Sequence, residues 1–151
     1  MPAFRFRLEP VLEQRRRQER EHQRIVASIE AERRALEDRI RAGQARLESE
    51  RHDLRVDLLT GPRILDVPAL RLQASVSATI IAQAQRAVIE LSGVHKRLEA
   101  ARARLLEATT ARKAVERLRE RALEAWKLRE KRREDRELDE LSVMRASREP
   151  A

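Results

Sequence analysis

The sequence predicts an all-α protein, an antiparallel two-helix coiled-coil hairpin with the second helix longer than the first. Three observations carry this expectation. Charged residues make up 40% of the chain, aromatics only 2%, and the 41% apolar share holds many alanines, a profile that suits a narrow seam between helices better than a wide core. Apolar residues recur at coiled-coil spacing over two long stretches. The residues that break helices cluster near the centre, in "DLLTGPRILDVPALR" (57–71), which holds Gly61, Pro62 and Pro68. The 151 residues then form a single hairpin: helix 1 about 8–59, loop 60–68, helix 2 about 69–145 and a frayed tail at 146–151.

Helix 1 starts near Leu8, and Pro10 is tolerated because the first helical turn leaves its N–H groups unpaired in any case. Its seam steps by three and four: Leu8, Leu12, Arg15, Glu19, His22, Val26, Ile29, Arg33, Leu36, Ile40, Gly43, Leu47, Glu50, Leu54. Eight of these fourteen positions are aliphatic, so helix 1 needs a better partner than another copy of itself. Gly61 caps its end and Pro62 cannot continue it.

Helix 2 opens at Pro68 or Ala69, with Asp66 placed to cap it. Its seam runs Ile80, Ala84, Ala87, Leu91, Val94, Leu98, Ala101, Leu105, Ala108, Arg112, Val115, Arg119, Ala122, Trp126, and twelve of the fourteen are apolar. The alanines let the helices approach closely. Gly93 costs about 1 kcal/mol relative to Ala without stopping the helix. Beyond Trp126 the seam dissolves into "KLREKRREDRELDEL", where helical propensity stays high and nothing apolar recurs before Leu138 and Leu141.

Two amphipathic helices joined by a short loop pack antiparallel, and folding about the loop centre sets position i near position 129 − i. Phe4 and Phe6 then fall opposite Ala125 and Leu123, beside Trp126. The chain's two Phe and one Trp converge at the open end of the hairpin as an aromatic clasp. Residues 127–145 run on with no partner from helix 1, an overhang on the order of 28 Å.

Net charge is +8, a balance that favours acidic partners, although acids interrupt every basic run. The charge is polarised. Residues 5–24 carry seven Arg against four Glu and residues 96–121 nine basic against four acidic, whereas 60–95 has three basic and two acidic. The open end is basic, and the loop end is near neutral and apolar. Within "LQASVSATIIAQAQRAVIELSGV" (72–94) the seam leaves Val76, Ile81, Val88 and Ile89 on flanking or outer positions. A wider local core, a homodimer contact or an exposed docking patch each accounts for them.

No catalytic constellation emerges. His22, His52 and His95 are scattered and no cysteine accompanies them, so neither a metal centre nor a disulfide framework is expected. The glycines are isolated, with no phosphate-cradling loop. A two-helix hairpin has no concave pocket that would desolvate an acid or base. The expectation is a protein that is not an enzyme, with no cofactor. No signal-type leader and no apolar run of about 18 residues is present, so a cytoplasmic protein is expected.

At its two ends the chain resembles a known family. "FRFRLEPVLEQRRRQE" (Phe4–Glu19) and "ARKAVERLRERALEAWKLREKRREDRELDEL" (Ala111–Leu141, with its Leu138-Asp139-Glu140 step) are similar to the N- and C-terminal blocks of the FliJ family of flagellar type III export proteins. YscO-type injectisome proteins share this plan. The resemblance implies a coiled coil similar to the central stalk of rotary ATPases, whose open end enters the ring of the export ATPase (FliI-like) and promotes its assembly and activity. It implies a second contact, with the export-gate membrane protein (FlhA-like), and a role with export chaperones of late substrates. It would place the protein at the periphery of the inner-membrane export apparatus. Carried onto this chain, ATPase contact falls on Phe4, Arg5, Arg7, Arg129, Arg132, Arg133 and Arg136. Gate contact falls on Val76, Ile80, Ile81 and Val88, in the part of the chain that matches the family least well.

Two rival functions are consistent with such a chain. A basic coiled coil binding nucleic acid would need a continuous basic stripe and would lose affinity steeply with salt; the interleaved acids and scarce aromatics fit this poorly. A structural homodimeric coiled coil would need a second long seam, which helix 1 does not offer.

Overall fold

A computed structural model describes residues 3–61 and 66–147, the side chain of residue 146 excepted. Two helices account for nearly all of them: α1, Glu9–Thr60, of 52 residues, and α2, Val67–Ala146, of 80 residues. No described residue lies in a strand. The helices pack against each other antiparallel, and the second is the longer, as the paired seams predict.

Each terminus has a local cause. The chain enters α1 through a turn closed by Glu9 N–H on Phe6 O at 3.2 Å, and Glu9 places a carboxylate in the first turn, where the helix dipole favours it. At the other end the Thr60 hydroxyl donates to Val56 O at 2.6 Å and Gly61 N–H to Asp57 O at 2.8 Å. Gly61 ends the helix without the left-handed backbone expected of a glycine cap, because no described glycine has positive φ. Close approach is what calls for glycine there: a Cβ on Gly61 would lie 2.3 Å from Asp57 O. Pro62 and the rest of 62–65 lie outside the described residues, as do 148–151 of the expected tail. α2 takes up at Val67, with Pro68 in its first turn. Asp66 caps it, its Oδ1 accepting from Ala69 N–H at 3.3 Å and its carbonyl from Leu70 N–H at 3.1 Å.

Both helices contribute to each of two compact units. The first holds Met1–Glu21 and Leu106–Ala151. Phe4 meets Trp126, Glu9 pairs with Arg119 at 3.0 Å, Arg16 with Glu116 at 3.2 Å and Glu19 with Arg112. Partner numbers fall on α2 as they rise on α1, within a few of the 129 − i register. Leu12 is wholly buried among them.

The second unit is His22–Leu105. Glu30 pairs with Arg102 at 2.8 Å, Glu32 with Arg97 at 2.6 Å and Arg39 with Glu90 at 3.7 Å. Farther toward the break, Ser77 Oγ donates to Glu50 Oε2 at 3.3 Å. The same antiparallel register holds. Its core includes the cluster Leu36, Ala87 and Val94, flanked by Ile29, Ile40 and Leu91, with Ile80, Leu98 and Ala101 buried along the same seam. Alanine and glycine set the spacing: Ala87 is 1% exposed, and Gly43 faces Ile80 and Ala84 with room for one methyl group.

Two seam assignments near the N-terminus shift. Leu8 is 41% exposed, because it sits in the turn before α1 rather than on the helix. Arg15 is exposed and Arg16 half-buried in its place. Steps of four then three, or three then four, give the same average period, and the partner decides: Glu116 receives Arg16.

Candidate functional site

The open end of the first unit is built from an alternation. Residues 3–6 lack helical structure, and along 3–7 exposure alternates strictly, as it does along any extended backbone whose neighbouring side chains point to opposite sides. Phe4 and Phe6 turn half-buried toward α2, whereas Arg5 and Arg7 face solvent. Pro10 and the helix start at Glu9 limit this segment to a few residues, so it lies alongside α2 without continuing α1.

On α2 the matching face is Ala122, Ala125, Trp126 and Arg129, positions three and four apart that share one side of a helix. The Phe4 and Trp126 rings stand 5.9 Å apart at 56°, a tilted pairing of the kind aromatic quadrupoles favour. The two alanines leave space beside the rings. The result is a groove of about 580 Å³ lined by the apolar Phe4, Phe6, Leu8, Ala122, Ala125 and Trp126 together with Arg5, Arg7 and Arg129. No carboxylate lines it. The structure therefore brings together four of the residues expected at the ATPase contact, Phe4, Arg5, Arg7 and Arg129, and adds Phe6 and Trp126. The sequence signal for these two was the aromatic clasp itself.

The other three expected residues, Arg132, Arg133 and Arg136, sit farther along α2. From 127 to 145 every residue is exposed except the half-buried Glu130, including Leu138, Leu141 and Met144. Arg133 lies between Glu130 at 3.2 Å and Glu137 at 3.3 Å. Arg136 Nε donates to Arg132 O at 3.0 Å. The guanidinium groups of Arg129 and Arg132 have no ion pair among the described residues.

One polar layer interrupts the seam of the first unit. Glu19, 9% exposed, accepts from the Thr109 hydroxyl at 2.8 Å and forms an ion pair with Arg112, which also donates to Glu116. Arg16 completes the cluster. Burial pushes the Glu19 carboxyl up, but the Thr109 hydroxyl and the Arg112 guanidinium outweigh it and hold it below the usual carboxylate range. Glu116 follows the same pattern: burial raises it, and Arg112 with Arg16 lowers it further. Contact with both carboxylates, Glu19 first, raises the Arg112 guanidinium.

In the second unit the residues expected at the gate contact divide. Ile80 is 4% exposed and belongs to the seam, so it offers no surface. Val76 is half-buried. Ile81 and Val88 are 41% and 53% exposed and line an apolar groove of about 510 Å³ with Ile40, Leu47, Ala84 and Ile89. Ile40 and Leu47 come from α1, where the sequence pattern marks them only as seam residues.

Among the described residues no three His, Asp or Glu side chains stand together as metal ligands, and no helix is long and apolar enough to cross a membrane. The family model described as "Flagellar FliJ protein" matches residues 4–151. No curated protein and no solved structure matches the chain.

Proposed function

The chain belongs to the FliJ family of flagellar export proteins, and from that premise we propose that it is a central-stalk-like adaptor that promotes assembly and activity of the export ATPase ring and links the ring to the export gate. The observation that carries the reading is the asymmetry of the first unit. α1 begins at Glu9 and the segment before it reaches Trp126, whereas α2 runs on to Ala146. One exposed helix of about 28 Å therefore projects past a two-helix base, and a single helix of 10–12 Å diameter can enter a ring pore. Arg129 and Arg132, without an ion pair among the described residues, can take partner carboxylates, whereas Glu130 and Glu137 hold Arg133 and keep the tip from presenting an unbroken basic stripe. That lacing weighs against nucleic acid as the partner.

The gate contact in this reading falls on Ile81 and Val88 in the second unit, with Ile80 supporting them from within. Escort of export chaperones is a further role under the same reading. The protein performs no hydrolysis itself.

The test is the rate of ATP hydrolysis by the cognate export ATPase with and without this protein. Stimulation that follows ring assembly is expected. Deleting 127–151 should remove stimulation while leaving helicity of the remainder intact. Stimulation of the same size by the truncated chain would place the ATPase contact elsewhere.

A further inference from the structure

We infer that the aromatic groove of the first unit receives an apolar side chain flanked by carboxylates on a helical segment of a partner protein. The inference rests on the proposed function only in taking the export ATPase as the bearer of that segment. An aromatic clasp that merely closed the seam would fill its own space. Here Ala122 and Ala125 stand where larger side chains would complete the packing, and about 580 Å³ stays open beside Trp126, within the size range of ligand sites.

The rim specifies charge. Arg5, Arg7 and Arg129 border the groove, no carboxylate lines it, and none of the three is ion-paired among the described residues. Arg5, on the segment before the turn, and Arg7, within the turn, are both exposed. Side chains three or four residues apart share a helix face, so an apolar residue with an acid one turn before it and another one turn after it presents all three side chains to the groove and its rim. Guanidinium groups take such carboxylates in bidentate fashion. A flat anionic membrane fits less well, because the same stretch of α2 carries Glu124, Glu130, Glu134 and Asp135.

Trp126 is the chain's one tryptophan and there is no tyrosine, so its emission reports on the groove in the full-length protein. The probe is a blocked, alanine-based helical peptide carrying one leucine with a glutamate one turn before it and another one turn after it. A saturable change in Trp126 emission is expected, weakened about tenfold by a Glu-to-Gln peptide, the loss of one charge-assisted contact. Arg129→Glu, on the exposed face of α2, should weaken it at least as much with helicity unchanged, and Phe6→Ala should abolish it. Emission that responds to phosphatidylglycerol vesicles and not to the peptide would overturn the inference in favour of a membrane surface. No response to either would leave an intramolecular clasp and also overturn it. If the peptide fails to bind while the ATPase is still stimulated, the groove assignment falls and the proposed function stands. If the peptide binds and the ATPase is not stimulated, the proposed function falls and the groove chemistry stands.

Discussion

Thr109 Oγ1 donates a 2.8 Å hydrogen bond to Glu19 Oε1 on the facing helix. This contact anchors a cluster in which Glu19, Arg112, Glu116 and Arg16 form ion pairs with one another. On sequence, Glu19 and Arg112 look like gaps in two apolar seams; the fold sets one gap against the other. Removing one partner strands the rest, and because both side chains keep some solvent access, Glu19→Ala should cost about 2–3 kcal/mol, below most fully buried pairs. Thr109→Val should cost about 1 kcal/mol. Glu19→Leu with Arg112→Leu together should recover most of the loss, since a hydrophobic replacement of such a pair is often neutral or better. Urea unfolding of the three variants checks the order; a double variant that recovers none of the Glu19→Ala loss would show that the loss does not come from stranding Arg112.

The same cluster makes stability depend on pH. Glu19 and Glu116 are held below the ordinary carboxylate range in the folded chain, so the unfolded chain takes up protons first as pH falls. Their contribution is fully present above the unfolded value of about 4.3 and is lost as pH drops through their lower folded values. The melting temperature should hold between pH 7 and about 5 and decline below that. Glu19→Gln should flatten the acid limb, and an unchanged slope would assign acid sensitivity to other carboxylates.

The three glycines should respond in opposite directions. Gly43 and Gly93 lie inside α1 and α2. A Cβ at Gly43 would meet Ile80 and Ala84 at 3.8 and 3.9 Å, ordinary contact, and at Gly93 it would meet nothing within 4 Å. Each Gly→Ala change there should stabilise by about 1 kcal/mol through helix propensity. Gly61→Ala should destabilise, because its Cβ would fall 2.3 Å from Asp57 O. Thermal melts of the single variants decide; a stabilising Gly61→Ala would mean that the end of α1 relaxes freely.

The hairpin was legible because one seam period and one cluster of breakers admit few other arrangements. From Leu12 to Leu54 and from Ile80 to Val115 the expected seam residues, Arg15 apart, are buried or half-buried. What pattern alone left undecided was local. Arg15 and Arg16 fit the average period equally, and only Glu116 on the other helix separates them. Gly61 could be read as a left-handed cap because composition does not distinguish handedness from close approach. Ile80 and Ile81 are adjacent and chemically alike, yet they are 4% and 41% exposed, a difference that the helix phase fixes and composition does not. The Arg-lined groove was half visible, since the convergence of Phe4, Phe6 and Trp126 followed from register, whereas the open space depends on Ala122 and Ala125 being small.

That contrast at Ile80 and Ile81 supplies the last prediction. If the charge-poor face of the second unit docks the export gate, its exposed residues should matter to binding and its buried ones to stability. Ile81 and Val88 line the groove from the solvent side, so Ile81→Asp with Val88→Asp should shift unfolding by no more than about 1 kcal/mol, twice the usual surface tolerance of ±0.5. Ile80→Ala removes buried methyl and methylene groups and should cost about 2–3 kcal/mol, as core truncations do. The readouts are denaturant unfolding and binding of each variant to the cytosolic part of the gate protein. The docking reading expects the double aspartate variant to be folded and unable to bind, and the alanine variant to be less stable and still able to bind at a temperature where it stays folded. A double aspartate variant that unfolds would make Ile81 and Val88 core residues. One that stays folded and binds normally would move the gate contact off this face.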